Sequence, residues 1–284
     1  MFSIGIRGGG QTWFPTCIEG ASKEAKGGIG PTGTLDLRYT SYTHLTRKID
    51  IGFAIGASAG YGTSDIRGTH TNVFTNTDYL GIAIDYTAIG VFRQTDRYAK
   101  VDASVMVAMR FGNVTLNIGP RFMMPLLASR TFTLREATID AYYRQYDVHV
   151  VNEIVTGHIQ TPYTRVETSS LPKYNLLLTL ELGYEWSLNE KHLFGVQAFV
   201  DFSVWNNYSN NTALTPLISV APILSPTNPQ PEVTIGSPEN WLTGRRYMDF
   251  GIRIYYAFSN DSYRRRKPCP ARDTRRHHNR YLWH

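Results

Sequence analysis

The sequence predicts an all-β protein: an antiparallel up-and-down transmembrane β-barrel of eight strands, with ten as the alternative count. Three observations lead there. Segment after segment alternates strictly between an apolar and a mixed residue, the period of two that marks strands. Each runs to roughly 9 to 14 residues, the length a tilted strand needs to cross a bilayer. The links between segments are short and long in turn, as in barrels with tight turns on one side of the membrane and extended loops on the other. Composition agrees, since Tyr (18) and Gly (24) in a chain of 284 residues favour strands and turns.

The first segment, FSIGIRGG, sets Phe2, Ile4 and Ile6 against Ser3, Gly5 and Arg7. TGTLDLRYTSY follows, with Leu35, Leu37 and Tyr39 opposite Asp36, Arg38 and Thr40. After a short link at 44–48, IDIGFAIGASAGYG opposes Ile51, Phe53 and Ile55 to Asp50, Gly52 and Ala54. KVDASVMVAMRFG places Val101, Val105 and Val107 opposite Asp102, Ser104 and Met106. A two-residue turn at Gly112-Asn113 leads to VTLNIGPRFMMPL, with Leu116, Ile118 and Phe122 opposite Asn117, Gly119 and Arg121. YNLLLTLELGYEW and LFGVQAFVDFSVW flank the turn at 187–190, and RRYMDFGIRIYYAF closes the set. The long connections are 11–29, 63–93, 129–171 and 206–243, all expected outside the cell. One stretch, DYLGIAIDYTAIGVFR at 78–93, also alternates. It reads as the upper part of a tall hairpin between the third and fourth strands, or as an extra pair that would make ten.

The two faces decide the solvent. The mixed face carries Arg7, Asp36, Arg38, Asp50, Asp102, Arg110, Arg121, Glu181, Glu185, Asp201, Asp249 and Arg253 among Gly, Ala, Ser and Thr, while the other face is almost free of charge. Water-facing sheets favour Lys and Glu with few glycines. Charges of both signs among small residues fit a narrow polar lumen in which carboxylates pair with arginine forks. A soluble lipocalin-like barrel would invert the pattern. An arginine at lipid-facing Leu180 is therefore expected to be damaging, and one at the neighbouring Thr179 milder. An eight-stranded lumen is filled by its own side chains, so a salt-bridged plug is expected rather than a channel.

In the last strand, Asp249, Gly251, Ile254 and Tyr256 have the polar, glycine, hydrophobic, aromatic spacing of the β-signal of outer-membrane proteins. With it, the hairpin RYAKVDASVMVAMRFGNVTLNIGPRFMMPLL and the stretch LLLTLELGYEWSLNEKHLFGVQAFVDFSVWNN resemble the small outer-membrane barrels of Bacteroidota, the PorT-like proteins and the barrel half of OmpA-like proteins. The resemblance covers the membrane strands and not the long loops. It implies export to the bacterial outer membrane, with the signal peptide removed from this chain, contact with outer-membrane lipid and lipopolysaccharide, and handling by the assembly machinery. It implies no enzymatic activity. The peptidoglycan-binding domain that follows OmpA-type barrels has no counterpart here.

The formal net charge of +6 does not point to nucleic acid. Of 29 basic and 23 acidic residues, eight and two lie in 261–284, so residues 1–260 hold 21 of each. The barrel (1–260) is neutral, and the excess sits in a tail expected in the periplasm. There Arg264, Arg265, Arg266, Lys267, Arg275 and Arg276 suit anionic lipid, peptidoglycan or a periplasmic protein. Cys17 and Cys269 are too few for a disulfide framework and lack metal-ligand spacing. No cofactor or metal is implied. Asp140, Asp147, His149 and Glu153 are a candidate cluster for hydrolysis or metal binding, but ATIDAYYRQYDVHVVNEIV reads more simply as an exposed hairpin, and the tail histidines His277 and His278 have no specific metal-ligand spacing. The loop at 206–243 carries Leu214, Leu217, Ile218, Val220, Ile223 and Leu224. These either cap the barrel mouth or form a docking patch. Two function classes follow: a non-enzymatic structural or interaction protein, such as an accessory subunit of a secretion or assembly complex, and a small-solute porin or transporter.

Overall fold

Alternating segments become strands because β-branched and aromatic side chains favour extended backbone and a period of two sends one set to each face. The computed structural model describes residues 1–17, 25–46, 49–78, 80–153, 158–168, 174–189, 191–204, 217–221, 232–236 and 242–259. Among them are β1 (Phe2–Cys17), β2 (Lys26–His44), β3 (Ile49–Thr77), β4 (Ala83–Phe111), β5 (Val114–Tyr143) and β6 (Val148–Val151). The rest are β7 (Tyr163–Thr168), β8 (Asn175–Ser187), β9 (His192–Ser203), β10 (Ile218–Val220), β11 (Val233–Ile235) and β12 (Leu242–Phe258).

Eight strands form a closed antiparallel ring in the order β1, β2, β3, β4, β5, β8, β9, β12, with β12 returning to β1 from Phe2↔Phe258 up to Cys17↔Leu242. Cα partners traced round the ring from Gly52 pass Ala108, Asn117, Glu181, Phe199, Gly251, Gly9 and Thr32 and come back to β3 at Gly62, ten residues on. Eight strands with that stagger tilt by about 40° around a backbone radius of about 8 Å, which leaves room for side chains and little else. The ring is tight.

The turns sit together at one end. Leu45 and Thr46 donate their N–H groups to the Ile49 carbonyl at 3.0 and 3.1 Å. Gly112 takes the positive φ (65°) that opens a two-residue hairpin. Asn189 accepts from the N–H groups of Lys191 and His192, both at 2.9 Å, and so folds the third turn.

At the other end three strands climb well past the ring. β3 and β4 stay paired to Thr77↔Ala83, so residues 78–93 complete the β3–β4 hairpin and the ring has eight strands, not ten. β5 follows β4 to Tyr143 and carries β6 and β7 on its far edge. Much of what the sequence suggests as loop at 63–93 and 129–171 is therefore sheet, and β1 and β2 reduce the loop at 11–29 to 18–25. The same alternation that marks the membrane strands simply continues above them.

This tall blade has its own core. Ile66, Ile84, Tyr86, Phe92, Phe132 and Leu134 cover its inner face, and Leu217, Ile218 and Val220 of the β10–β11 hairpin pack onto them. A Cβ at Gly90 would meet Ile218 Cδ1 at 2.9 Å and Leu134 Cδ1 at 3.0 Å, so glycine allows that approach. Asn72 Nδ2 donates to the Ile218 carbonyl at 3.3 Å, and Asn76 Nδ2 to that of Val220. The apolar residues Leu217, Ile218 and Val220 of the long loop are thus cap, not surface; Leu214, Ile223 and Leu224 lie outside the described residues.

Candidate functional site

The two faces of the ring have opposite character. Its outer face exposes Ile6 (62%), Leu35 (64%), Val105 (55%), Leu182 (56%) and Ile252 (54%), with Phe53, Phe122, Leu180 and Val200 between them. At the turn end this surface ends in touching aromatic side chains: Tyr184 against Trp186, Trp186 against Phe194, and Tyr256 against Phe258, with centroids 4.9, 5.8 and 4.9 Å apart. An apolar belt round the whole circumference, edged with aromatics, belongs in hydrocarbon. The chain is a membrane β-barrel.

Its inner face is charged and buried. Within the belt six cations (Arg7, Arg38, Lys100, Arg110, Arg121, Arg253) and six carboxylates (Asp36, Asp102, Glu181, Glu185, Asp201, Asp249) are all buried. Their formal charges cancel. At mid-height Arg38 grips Glu181 with Nη1–Oε2 at 2.5 Å and Nη2–Oε1 at 2.9 Å, and Asn117 adds a bond to Glu181 at 3.0 Å. Arg7 Nη2 reaches both oxygens of Asp201, at 3.2 and 3.0 Å, and Arg121 shares that carboxylate at 3.3 Å. Arg253 bonds Asp36 through Nε at 2.6 Å, Gln197 at 3.0 Å and the Ser3 hydroxyl at 3.1 Å. Below this layer Arg110 faces Glu185 at 3.4 Å, and the Tyr255 hydroxyl donates to Glu185 at 2.6 Å. Above it Lys100 bonds Asp249 at 2.9 Å and the Tyr247 hydroxyl at 3.0 Å, while Ser58 donates to Asp102 at 2.9 Å. Guanidinium faces rest on rings as well: Arg7 on Phe199 at 3.8 Å and Arg253 on Tyr255 at 4.2 Å. Trp13, Tyr98, Met123, Leu177 and Tyr247 close the upper end as one apolar cluster.

Comparison with known proteins adds little to this geometry. No family model matches the chain, and no curated protein matches it significantly. Among solved structures, the transport unit of the autotransporter AIDA-I from Escherichia coli is 8% identical with a TM-score of 0.25, over 91% of this chain and 90% of that one. The outer membrane protease OmpT from Escherichia coli is 11% identical with a TM-score of 0.23, over 91% and 96%. Similarity so slight assigns neither family nor activity.

Eleven of the twelve charges picked out in the sequence lie in the buried lumen. Asp50 is the exception. It sits at the turn-end rim beside an 84% exposed His44, with Nδ1–Oδ1 at 2.5 Å, because the strand has already reached the turn there. Lys100 joins this set with the parity of Asp102 two residues on, and so do Gln11 and Tyr98, which charge alone does not pick out; Gln197 and Tyr255 fall on the mixed face by periodicity, and their polar tips finish the network. In β12, Asp249 and Gly251 share the lumen-facing parity, whereas Ile254 and Tyr256 share the lipid-facing one. The tail residues Arg264, Arg265, Arg266, Lys267, Arg275 and Arg276 lie outside the described residues.

Above the belt the polar groups form small local clusters, with Asp65 shared by Arg67 and Arg93 and Asp96 by Gln94 and Arg130. His149 Nδ1 lies 3.1 Å from Asp140, and Asp147 accepts from Tyr142 at 2.9 Å. Among the described residues, no three such side chains converge as metal ligands. On the outer face of β3, burial pushes the Asp65 carboxyl up, but hydrogen bonds and charge from Arg93 and Arg67 outweigh it and hold the group below its usual range. Burial pulls His70 down, towards the neutral form.

Proposed function

We propose that this chain is a bacterial outer-membrane barrel that works by binding and not by transport or catalysis, of the kind represented by PorT-like and OmpA-like barrels. Its blade would face outwards as the interaction surface, and an accessory place in a secretion or assembly complex suits it. The observation that supports this is the neutral lumen of six cations and six carboxylates, each buried against partners. A solute path would need those pairs opened inside a ring about 8 Å in radius. Single-channel recording in planar bilayers tests it. The expected result is no stepwise conductance from inserted protein. Reproducible steps that vanish in Trp13→Glu or shift in Lys100→Met would favour the porin reading instead. Crosslinking in native outer membranes should then recover a protein partner through blade residues.

A further inference from the structure

The two edges of the blade differ. The β5 edge is covered by β6 and β7. On the β3 side, β2 reaches only to Lys26, the Cα partner of Arg67, and among the described residues no strand lies beside β3 above that pair. The Asp78 N–H bonds the Ile82 carbonyl at 3.0 Å, and the pairing with β4 runs without a bulge from Ile49 to Thr77. Hydrogen-bonded and non-hydrogen-bonded pairs alternate along such a ladder. Above Arg67 the even-numbered residues of β3 therefore turn their amides to β4, and Thr69, Thr71, Val73, Thr75 and Thr77 turn theirs to the open edge.

A bare edge strand is normally guarded by Lys, Pro, a bulge or an inward-pointing charge. GTHTNVFTNT, residues 68–77, contains no Lys, Arg, Asp, Glu or Pro. Its edge-facing residues are all β-branched and stand on the outer face, with Val73 69% exposed. Their order, Thr-Thr-Val-Thr-Thr, reads the same from either end. Such a strand fits its own antiparallel copy. In a pairing centred on Val73, Val73 meets Val73, Thr71 meets Thr75 and Thr69 meets Thr77. Every edge amide is then bonded, and threonine stands against threonine, a favourable cross-strand pair. The same register sets Asp78 of one copy opposite Gly68 of the other, next to the Arg67 and Lys26 that close the edge below. Opposite charges thus meet at each end of the seam.

Symmetry decides where the second copy stands. A two-fold axis that makes the two β3 strands antiparallel and the sheet continuous lies along the sheet normal, in the membrane plane, and turns the second copy upside down. Two barrels in one bilayer stand the same way up, so their strands, each tilted by about 40°, would cross at about 80°. At this tilt each residue climbs about 2.5 Å along the barrel axis. On β3 the belt ends at Tyr61, before the outward run of Thr63, Asp65 and Arg67. Val73 therefore stands roughly 30 Å above the hydrocarbon, and two copies joined there hold facing hydrocarbon edges about 60 Å apart. The blade tip at Gly81 lies only about 20 Å beyond Val73, short of the facing bilayer.

We infer that residues 68–77 of β3 form a self-recognition edge that joins this barrel to a second copy in a facing membrane. The inference rests on the proposed topology, with the blade outside. The test uses the full chain in two vesicle populations, one biotinylated and held on streptavidin beads, the other fluorescent. An impermeant maleimide on Cys17, at the blade end of β1, first selects vesicles with the blade outwards. Wild type against wild type should retain about tenfold more fluorescent vesicles than wild type against protein-free vesicles, since many weak pairs act together. Cryo-electron microscopy should show facing hydrocarbon edges about 60 Å apart. Val73→Pro, which loses an N–H that points away from β4, and Val73→Lys should both abolish retention. Thr87→Lys, on the same face one strand in from the edge, should keep it. The heat-dependent gel shift confirms that each variant is inserted. Retention by Val73→Lys equal to wild type overturns the proposal, as does no retention with the blade outwards or equal retention of protein-free vesicles. So does slow exchange of the Thr71, Val73 and Thr75 amides in nanodiscs that hold one copy, because another segment would then cover the edge. Tethering by a protein whose Cys17 stays unlabelled on intact cells would refute the outward topology and leave the pairing edge standing, so the two failures are told apart.

Discussion

Glu181 is the carboxylate on which the middle layer turns, since Arg38, Arg7 and Asn117 all point at it. Glu181→Gln keeps the shape but leaves Arg38 buried with its bidentate partner gone. Breaking a buried pair from one side costs about 3–5 kcal/mol. The variant should unfold at lower urea than wild type in the same lipid, and an unchanged midpoint would mean that water already serves this layer. Its neighbours show what a side chain's face means here. Leu180 points at lipid, so Leu180→Arg should cost about 2–4 kcal/mol at mid-bilayer depth. Sequence periodicity suggests that Thr179→Arg, on the polar face, is milder. The structure reverses that expectation, because Thr179 is fully buried and a long cation there both overpacks the lumen and adds a seventh positive charge. Thr179→Val should be close to neutral, since its hydroxyl has no partner among the described residues. Urea titration of the three variants separates these cases. Alternation tells which way a residue points; it does not tell how full the space is.

The blade is the element that sequence reading caught least. Its strands obey the same period of two, but above the belt the outward positions turn to Thr, Asp and Arg, so the pattern resembles exposed loop hairpins. What could not be read was the partner of the inner face, because β10 and β11 are three residues each and lie far along the chain. The seat at Gly90 gives a direct test. Gly90→Val should unseat the hairpin while leaving the ring inserted, seen as faster hydrogen exchange in 84–92 and 217–220 with an unchanged gel shift. Protection equal to wild type would mean the hairpin is held by its Asn72 and Asn76 bonds alone. The same element should respond to pH. His70 is the Cα partner of Gly90, is buried, and is held towards its neutral form. A histidine whose folded-state value is depressed contributes stability above its ordinary value of about 6.5 and loses it as pH falls through that value. Protection factors in the blade, with the intrinsic pH dependence of amide exchange divided out, should thus fall between about pH 7 and 5 in wild type and not in His70→Gln. Asp65 acts in a separate window, because a depressed carboxylate withdraws its contribution only below about pH 4.

At the scale of the whole molecule, the ring places both ends of the described chain at the turn side. β1 starts at Phe2 opposite Phe258, and the Ser259 N–H still bonds the Lys191 carbonyl at 2.8 Å. β1 then climbs to Cys17, which pairs with Leu242 at the long-connection end. A hydrocarbon core about 30 Å thick lies between those ends, whereas the two α-carbons of a disulfide stand ~4.4–6.8 Å apart. Cys269 follows ten residues after Ser259, and the turns on that side are the periplasmic ones in the proposed topology. No Cys17–Cys269 bond is therefore expected, and a membrane-impermeant maleimide on intact cells should label Cys17 alone. Every Cα pair that closes the barrel lies at or before Phe258, so deleting residues 261–284 should leave insertion and the gel shift intact. If the basic tail binds on the periplasmic side, the truncated protein should lose crosslinks to periplasmic partners while keeping those made by the blade. Labelling of Cys269 from outside would invert the topology, and loss of insertion on truncation would move the assembly signal from β12 into the tail.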